Sequence, residues 1–581
     1  MTGHKVIVVY AVLLVSVPVL AQERSRDAEI FGAPSAPEQE QEQPPHAQPA
    51  APSGSEPAGS TPTPPGRPNE ADMFGGAPAE PPAPSARPHE SDMFGGAQAS
   101  PPAATSDKPA APLDPREAMF SGDNRPMFTE EPAPEDPLTI GGMLYMRLQS
   151  TANERTEPKH WGISSPTLLD VFFDARPNDR VRGFVRGRMS YDPLLPTDSG
   201  GLSSTALLGN SQTAGSTSIS PLFTGASGSP NVLLDQLWLR FDIGHQLFVT
   251  VGKQHVRWGT ARFWTPADYL HLRRRNPLDV FDVRTGTNMV KVHLPIEDLN
   301  WNFYAYGILE NNGGRPDLGT PAGALRAEFV LGELELGLGV YNRARSRAKF
   351  AADISFGLGD IDFYGELALR DGREIDRVRY APDAMLPDAM NLDGVPPEIA
   401  QQLALARIQA EVDAIYPVYR SPGYRPQVVG GLSYSRRYAD NDTFTIALEY
   451  FYNGYGYDDP NVYSGLLLPH SRQLENPASF FFLGRHYAAL LLLFPAPFKL
   501  DLHTFTLSTL GNLSDRSLTT RFDYALTLLT HLRFEAYASV SYGERGEFRF
   551  QIADLPSVPL STLGLPRPTI FALGFGLRLS I

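Results

Sequence analysis

The chain has 581 residues, a formal net charge of -15, 51 glycines, 54 prolines and no cysteine. This length allows several domains or one large all-β domain, and the glycine and proline content argues against long helices as the main elements. The negative charge argues against nucleic acid as a bulk partner. The lack of cysteine excludes disulfides and thiolate metal sites.

The first residues predict a secretory signal peptide over 1–21. Lys5 supplies a positive charge, residues 6–20 are apolar, and Ala21 is a small residue at a plausible cleavage site before Gln22. The apolar run is short for a membrane-spanning helix, which needs about 20 residues. A lipoprotein is excluded because no cysteine follows the cleavage site.

Residues 22–137 form a segment rich in Pro, Ala, Ser, Glu and Gln, which we call the arm. It contains 20 acidic and 7 basic residues, so most of the net charge of the chain lies here. A segment of this composition cannot bury enough apolar surface to offset the entropy lost on ordering. We predict a disordered, acidic, periplasmic arm.

A short tag recurs within the arm. "RPNEADMFGGAPA" at 67–79 returns as "RPHESDMFGGAQA" at 87–99, and weaker copies lie at 26–33 and 116–122. Each copy carries one isolated aromatic residue: Phe31, Phe74, Phe94 and Phe120. Repeated tags suit weak, multivalent binding to a periplasmic protein partner. A repeat-expanded linker without a partner is the alternative.

Period-two alternation of apolar and polar residues begins after Pro137 and continues to the last residue. In "LTIGGMLYMRLQ", Leu144, Met146 and Leu148 share one face and Arg147 lies on the other. About eighteen such segments of roughly ten residues follow one another. Each segment predicts a strand with one apolar face.

The connections between these segments alternate in length. Short ones such as 177–179 alternate with long ones near 192–230, 258–286, 371–426, 454–479 and 542–568. Outer-membrane barrels have short periplasmic turns and long outer loops. We therefore predict an all-β fold over 138–581: a transmembrane, antiparallel, up-and-down β-barrel of about 18 strands with both ends periplasmic. A secreted β-solenoid or two-domain sandwich is the soluble alternative.

The polar faces of the strands predict the lining of a barrel lumen, because charge within a membrane segment must face water or a partner. We expect a lumen wall that carries Arg182, Arg186, Arg188, Arg240, Lys291, Arg521 and Arg533. Acidic residues, Glu366 and Glu449 among them, share these faces in nearly equal number, and Lys349 and Arg370 are further cations there. The wall is therefore either a polar conduit for solutes or a salt-bridged scaffold, and both readings can hold together.

The connection between 252 and 286 is unusually aromatic for a loop. Trp258, Trp264, Tyr269 and Phe281 need burial, and the inside of the barrel mouth is where a loop could bury them. We predict an inward-folded loop whose constriction carries Arg262, Arg273, Arg274, Arg275, Arg284, Asp268, Asp279 and Asp282. Fixed arginines at a constriction favour anions. Alternatively, the acidic residues pair with the arginines and hold the loop in place.

The same loop carries a family resemblance. Trp258-Gly259, Pro266-x-Asp268, Asn276-Pro277-Leu278-Asp279, then Arg284 and Gly286, resemble a pattern of porin-like outer-membrane proteins of Gram-negative bacteria. The match spans about thirty residues and does not include the arm. The last strand, which ends at Ile581, resembles the sorting signal read by the barrel-assembly machinery, although that signal usually ends in Phe or Trp. The resemblance implies outer-membrane lipid as the surroundings and small polar or anionic solutes as cargo.

One long connection predicts a helix. Leu405, Ile408, Val412 and Ile415 lie at helical spacing within 396–416, after two prolines. We found no nucleophile elbow, zinc-binding HExxH or phosphate-binding glycine loop, and we expect no cofactor. The sequence thus favours a channel for passive diffusion of small polar solutes, with an anion preference. The alternatives are a barrel that anchors the arm and, less favoured, an enzyme within a barrel.

Overall fold

The structure is a computed structural model, and the part of the chain that it describes forms a barrel. It describes residues 137–195, 228–271, 274–278, 284–310, 319–386, 396–438, 443–468, 470–472, 474, 480–556 and 568–581. The predicted signal peptide and the arm up to residue 136, with its tags, lie outside the described residues. So do Arg273, Asp279, Phe281 and Asp282 of the predicted constriction loop.

Twenty-one strands follow one another along the described residues. Their bounds are β1 Leu138–Asn153, β2 Gly162–Ser164, β3 Thr167–Asn178, β4 Val181–Tyr191, β5 Asn231–Ile243, β6 Leu247–Gln254, β7 Thr287–Ile296, β8 Trp301–Ile308, β9 Ala322–Leu331, β10 Leu334–Arg343, β11 Lys349–Leu358, β12 Ile361–Asp371, β13 Arg377–Val378, β14 Val418–Tyr419, β15 Tyr424–Arg437, β16 Thr443–Asn453, β17 His486–Pro495, β18 His503–Asn512, β19 Ser517–Leu529, β20 Leu532–Gly543 and β21 Thr569–Ser580. The two α-helices are α1 Pro397–Ile415 and α2 Val462–Leu467.

Eighteen of these strands close into a single barrel. Each long strand pairs antiparallel with the next one along the chain. The ring closes where β1 pairs with β21, from Met143 opposite Ser580 to Asn153 opposite Thr569. The short strand β2 adds to β1, and β13 and β14 form a separate pair. The predicted fold class, an antiparallel barrel of 18 strands, is confirmed.

The two ends of the barrel differ in the length of their connections. At one end, which we call the turn end, strands are joined by short connections such as 179–180, 332–333 and 359–360. At the other, the loop end, the long connections are 154–166, 192–230, 255–286, 309–321, 372–423, 454–485 and 544–568. Two connections at the loop end are also short, 344–348 and 513–516. The first and last strands both meet the turn end.

The outer surface of the barrel is apolar and the inner surface is polar. On β1, Ile140, Met146 and Leu148 are 58%, 50% and 53% exposed, whereas Tyr145 and Arg147 point inward and are buried. This is the reverse of a soluble protein and is the pattern of a barrel whose outside meets lipid. No helix among the described residues is long and apolar enough to cross a membrane.

The predicted helix is present as α1, in the connection 372–423. Val412 and Ile415 are buried in an apolar cluster that also contains Leu466 of α2 and Phe550 of the last loop. Three loops are therefore packed together at the loop end of the barrel, which gives that end a fixed framework.

Candidate functional site

The connection 255–286, which we call the crossing loop, enters the barrel lumen and crosses it. It connects β6 to β7. Its Leu278 carbonyl accepts a hydrogen bond of 3.2 Å from Nη1 of Arg521, on β19. Because β19 lies eight strands around the ring from β7 by the shorter path, the loop reaches the far wall. Leu278 and Arg521 are both buried.

Two carboxylates of the wall hold the loop through its backbone. Glu449 of β16 accepts hydrogen bonds from the amide N–H groups of residues 262, 263 and 264 at 2.8–3.2 Å. Glu366 of β12 accepts from the N–H groups of Ala261 at 2.7 Å and Ala267 at 3.3 Å. A typical hydrogen bond contributes about 0.5–1.5 kcal/mol, so these five together hold the loop in place. The sequence placed both glutamates on the lumen face but gave no sign of their amide partners.

The aromatic residues of the loop are packed against the wall. Trp264 is fully buried, stacks on Phe451 of β16 at 5.6 Å, and donates its ring N–H to the Phe481 carbonyl at 2.9 Å. Trp258 is 1% exposed and lies edge-on to Tyr306 of β8. Burial of a large aromatic side chain stabilises by about 2–3 kcal/mol. The loop is therefore part of the packed interior.

Tyr269 is less buried than Trp258 and Trp264. It is partly buried, and its hydroxyl lies 3.3 Å from the Leu369 carbonyl at the end of β12. It lies beside Tyr341 of β10 with ring centroids 6.1 Å apart. This contact fixes the middle of the crossing loop against the wall.

The first residue of the crossing loop, His255, is joined to the wall by a chain of charged groups. Arg188 of β4 holds Asp170 of β3 at 2.8 Å and Asp235 of β5 at 3.3 Å. Asp235 in turn contacts Nε2 of His255 at 3.0 Å. Asp235 faces inward because the register of β5 shifts opposite Arg186 and Gly187, a bulge that the period-two pattern does not show.

The chain continues within the loop itself. Nδ1 of His255 lies 3.4 Å from Nε2 of His271, and Nδ1 of His271 lies 2.9 Å from Asp268. Arg284 contacts the same Asp268 oxygen at 3.0 Å. Although burial acts to raise it, the neighbouring His271 and Arg284 lower the pKa of Asp268 to about 2. This ion pair between residues 268 and 284, sixteen positions apart, joins the middle of the crossing loop to its C-terminal end.

The arginines of the predicted constriction occupy distinct environments. Arg284 pairs with Asp268, Arg275 is buried, and Arg262 lies over the ring of Tyr364 at 5.3 Å. Arg274 is open to the lumen, lies 4.2 Å above the ring of Phe482, and makes no ion pair with a described residue. Loss of bulk water, followed by repulsion from Arg370, lowers the pKa of Arg274 to about 10, which leaves it charged at neutral pH.

Most of the predicted lumen-lining cations are paired with acids. Arg182 binds Asp174 at 2.8 Å, and Arg521 binds Asp523 at 2.6 Å. Weaker contacts join Arg186 to Asp235 and Arg533 to Glu535, both at 3.7 Å. Arg240 lies 5.3 Å from the ring of Trp238, and Lys291 is buried without an ion pair in the described part of the chain. The wall is largely a salt-bridged scaffold.

A group of four cations lies at the loop end of the wall. Arg343, Lys349, Arg370 and Arg425 lie at the ends of the neighbouring strands β10, β11, β12 and β15, and all four share the inward-facing parity. The alternation of the sequence predicts Lys349 and Arg370 on lumen faces but does not indicate Arg343 and Arg425. We call these four residues the cationic rim.

Comparisons with known proteins give no family. No protein-family model matches the sequence, and no curated protein matches it. The chain is similar to the solved structure of OccAB1 of Acinetobacter baumannii, with 12% identity, a TM-score of 0.42, and coverage of 76% of this chain and 96% of that one. The solved structure of OccK8 (OprE) of Pseudomonas aeruginosa is 9% identical, with a TM-score of 0.42 and coverage of 76% of this chain and 98% of that one. A variant of the Rh. blastica porin is 9% identical, with a TM-score of 0.34 and coverage of 76% of this chain and 100% of that one. At such TM-scores the likeness carries no argument about function.

Proposed function

We propose that this chain is an outer-membrane channel of porin type that lets small polar solutes diffuse across the bilayer, with a preference for anions. The observation that carries the proposal is the crossing loop, which spans from β6 and β7 to β19 inside a closed barrel. A loop in this position sets the cross-section through which a solute passes. The proposal assigns no catalytic role to any residue.

The surface of the barrel supports a place in the bilayer. Apolar side chains cover its outside on β1 and also on β21, where Phe575 and Leu577 are 46% and 48% exposed. A closed sheet leaves no unpaired strand edge in lipid. The predicted signal peptide supports export, and the first strand starts from the turn end, which suits an arm in the periplasm and insertion by the barrel-assembly machinery through β21.

The charges at the crossing loop support the anion preference. The acidic side chains there are engaged: Asp268 with His271 and Arg284, and Glu366 and Glu449 with backbone amides. Arg274 keeps a positive charge toward the lumen. A fixed cation whose carboxylate neighbours are already bonded attracts anions into a narrow passage.

Reconstitution of the mature barrel in a planar bilayer tests the proposal. In a salt gradient we expect steady channels and a reversal potential shifted toward chloride. Arg273→Ala, Arg274→Ala and Arg275→Ala should each reduce that shift while the barrel stays folded. A folded barrel without conductance, with and without the arm, would refute the channel and favour the anchoring alternative.

A further inference from the structure

The cationic rim gathers four positive side chains from adjacent strands. Arg370 stands opposite Arg425 in the pairing of β12 with β15, and Lys349 stands opposite Tyr341, two residues before Arg343. In the part of the chain that the structure describes, no acceptor forms a hydrogen bond with the buried Nε atoms of Arg343, Arg370 and Arg425. The terminal nitrogens of Arg343 donate to the Glu310 and Thr320 carbonyls and to the Tyr341 hydroxyl. Charges of one sign on neighbouring strands repel one another, so this arrangement is costly unless an anion is present.

Among the described residues, the acidic side chains near the rim do not balance its charge. Glu374 lies 3.7 Å from Lys349 and 3.5 Å from Arg370, both longer than the 2.7–2.9 Å typical of strong charge-assisted hydrogen bonds. It also accepts the amide N–H of Arg347 at 2.6 Å. Asp371 is engaged with the Arg347 side chain at 3.1 Å. One carboxylate is therefore shared between two cations of the rim.

The crossing loop brings a fifth cation to the rim. Tyr269 donates to the carbonyl of residue 369, and Tyr455 donates to the carbonyl of Arg370. These two hydroxyls fix the loop and the 454–485 connection on either side of the end of β12. Arg274 reaches the Tyr455 side of this strand end through Phe482, because the Asn453 side chain donates to the Phe482 carbonyl at 2.7 Å and accepts the Tyr455 amide at 3.2 Å. Its guanidinium stacks on Phe482, which leaves its N–H groups directed away from the ring.

We propose that the cationic rim and Arg274 bind a doubly charged oxyanion, either phosphate or a phosphate monoester, between Arg274 and Arg370. This inference rests on the proposed channel and names the class of anion that it captures. A guanidinium donates two parallel N–H groups that match the oxygens of a tetrahedral phosphate. The guanidiniums of Arg274 and Arg370 together carry more charge than one monovalent anion can balance.

The test measures block of the chloride current by inorganic phosphate at pH 8, where the dianion dominates, at constant ionic strength. We expect phosphate to reduce the current, and Arg274→Gln and Arg370→Gln each to raise the half-blocking concentration about tenfold or more. Arg347→Gln is the matched control. It removes an arginine of the connection 344–348, outside the cationic rim, that is 55% exposed and already paired with Asp371, so its half-blocking concentration should equal that of the wild type.

Three results would overturn the inference: block that survives both substitutions, equal block by acetate, or an equal loss of block in the control. Glycerol phosphate in place of inorganic phosphate distinguishes a monoester ligand from the free ion. Line broadening of the phosphorus NMR signal by the folded protein in detergent reports binding without any current. A protein that broadens the signal in an Arg274-dependent way but conducts nothing would keep the site and refute the channel.

Discussion

Individual carboxylates in this barrel act as acceptors for backbone amides. Glu449 receives three N–H groups of the crossing loop and the hydroxyl of Tyr364, and Glu366 receives two more amides. The alternation of polar residues predicted that both side chains face inward. It could not predict their role, because the partners are amides that every residue carries.

A second buried carboxylate cluster joins the loops at the barrel mouth. Glu547 accepts hydrogen bonds from the Tyr487 hydroxyl at 2.6 Å and from Asn512 at 2.9 Å, and its own amide donates to Asp515 at 2.8 Å. Burial, followed by the nearby charge of Asp515, raises the pKa of Glu547 to about 8. The side chain is therefore largely protonated at neutral pH.

This shift predicts a stability that falls with rising pH. The folded pKa of about 8 lies above the ordinary value of 4.5, so the contribution is complete below pH 4.5 and is lost as the pH rises through 8. It amounts to at most about 5 kcal/mol. Urea unfolding of the barrel in lipid vesicles between pH 4 and 9 should show this decline.

The Glu547→Gln variant should reduce the decline, because an amide cannot ionise. Glu544→Gln is the control, since Glu544 lies in the same connection but is 64% exposed and pairs with Arg516. An identical pH profile for the wild type and Glu547→Gln would contradict the prediction.

Among the elements, the crossing loop depends on one glycine for its entry into the lumen. Gly259 has a φ of +97°, and a Cβ at this position would collide with the carboxylate of Glu366. The same carboxylate accepts the amides of Ala261 and Ala267. Only a residue without a side chain lets the chain turn here and still reach its anchor.

Gly259→Ala should release the loop from Glu366 and raise the single-channel conductance, with larger current fluctuations. Gly332→Ala is the matched control. Gly332 also has a positive φ, +68°, but lies in a turn with nothing within 4 Å of the added Cβ, so it should cost about 1–2 kcal/mol and leave conductance unchanged. Equal conductance in both variants would show that the Glu366 contact does not hold the loop.

The elements that the sequence predicted correctly are those with a strong local period. The strands follow from alternation, and α1 follows from the spacing of Val412 and Ile415. Features that depend on distant partners were missed: the bulge that turns Asp235 inward, and the rim residues Arg343 and Arg425. Both rim residues lie at strand ends, where a short alternating pattern does not fix the face of a side chain.

For the whole molecule, the proposed channel predicts that the arm is dispensable for flux. Deletion of 67–99, which carries the two complete tags, should leave the bilayer conductance unchanged, because the crossing loop and its anchors all lie in the barrel, after residue 137. Deletion of 22–66, which lacks both complete tags, is the control for arm length. Loss of flux in cells after tag deletion, with conductance in bilayers intact, would instead favour the anchoring role.

The closure between β1 and β21 sets a kinetic order for assembly. The other seventeen pairings of the ring join strands that follow one another in the chain, whereas this one brings Met143 to Ser580. The entropy lost on closing a chain segment increases with its length. Hairpins between consecutive strands are therefore expected to form before the β1–β21 pairing, which we call the seam. The seam is thus expected to be the last part of the ring to form and the first point at which it opens, and until it forms the open sheet keeps two unpaired edges, one on β1 and one on β21.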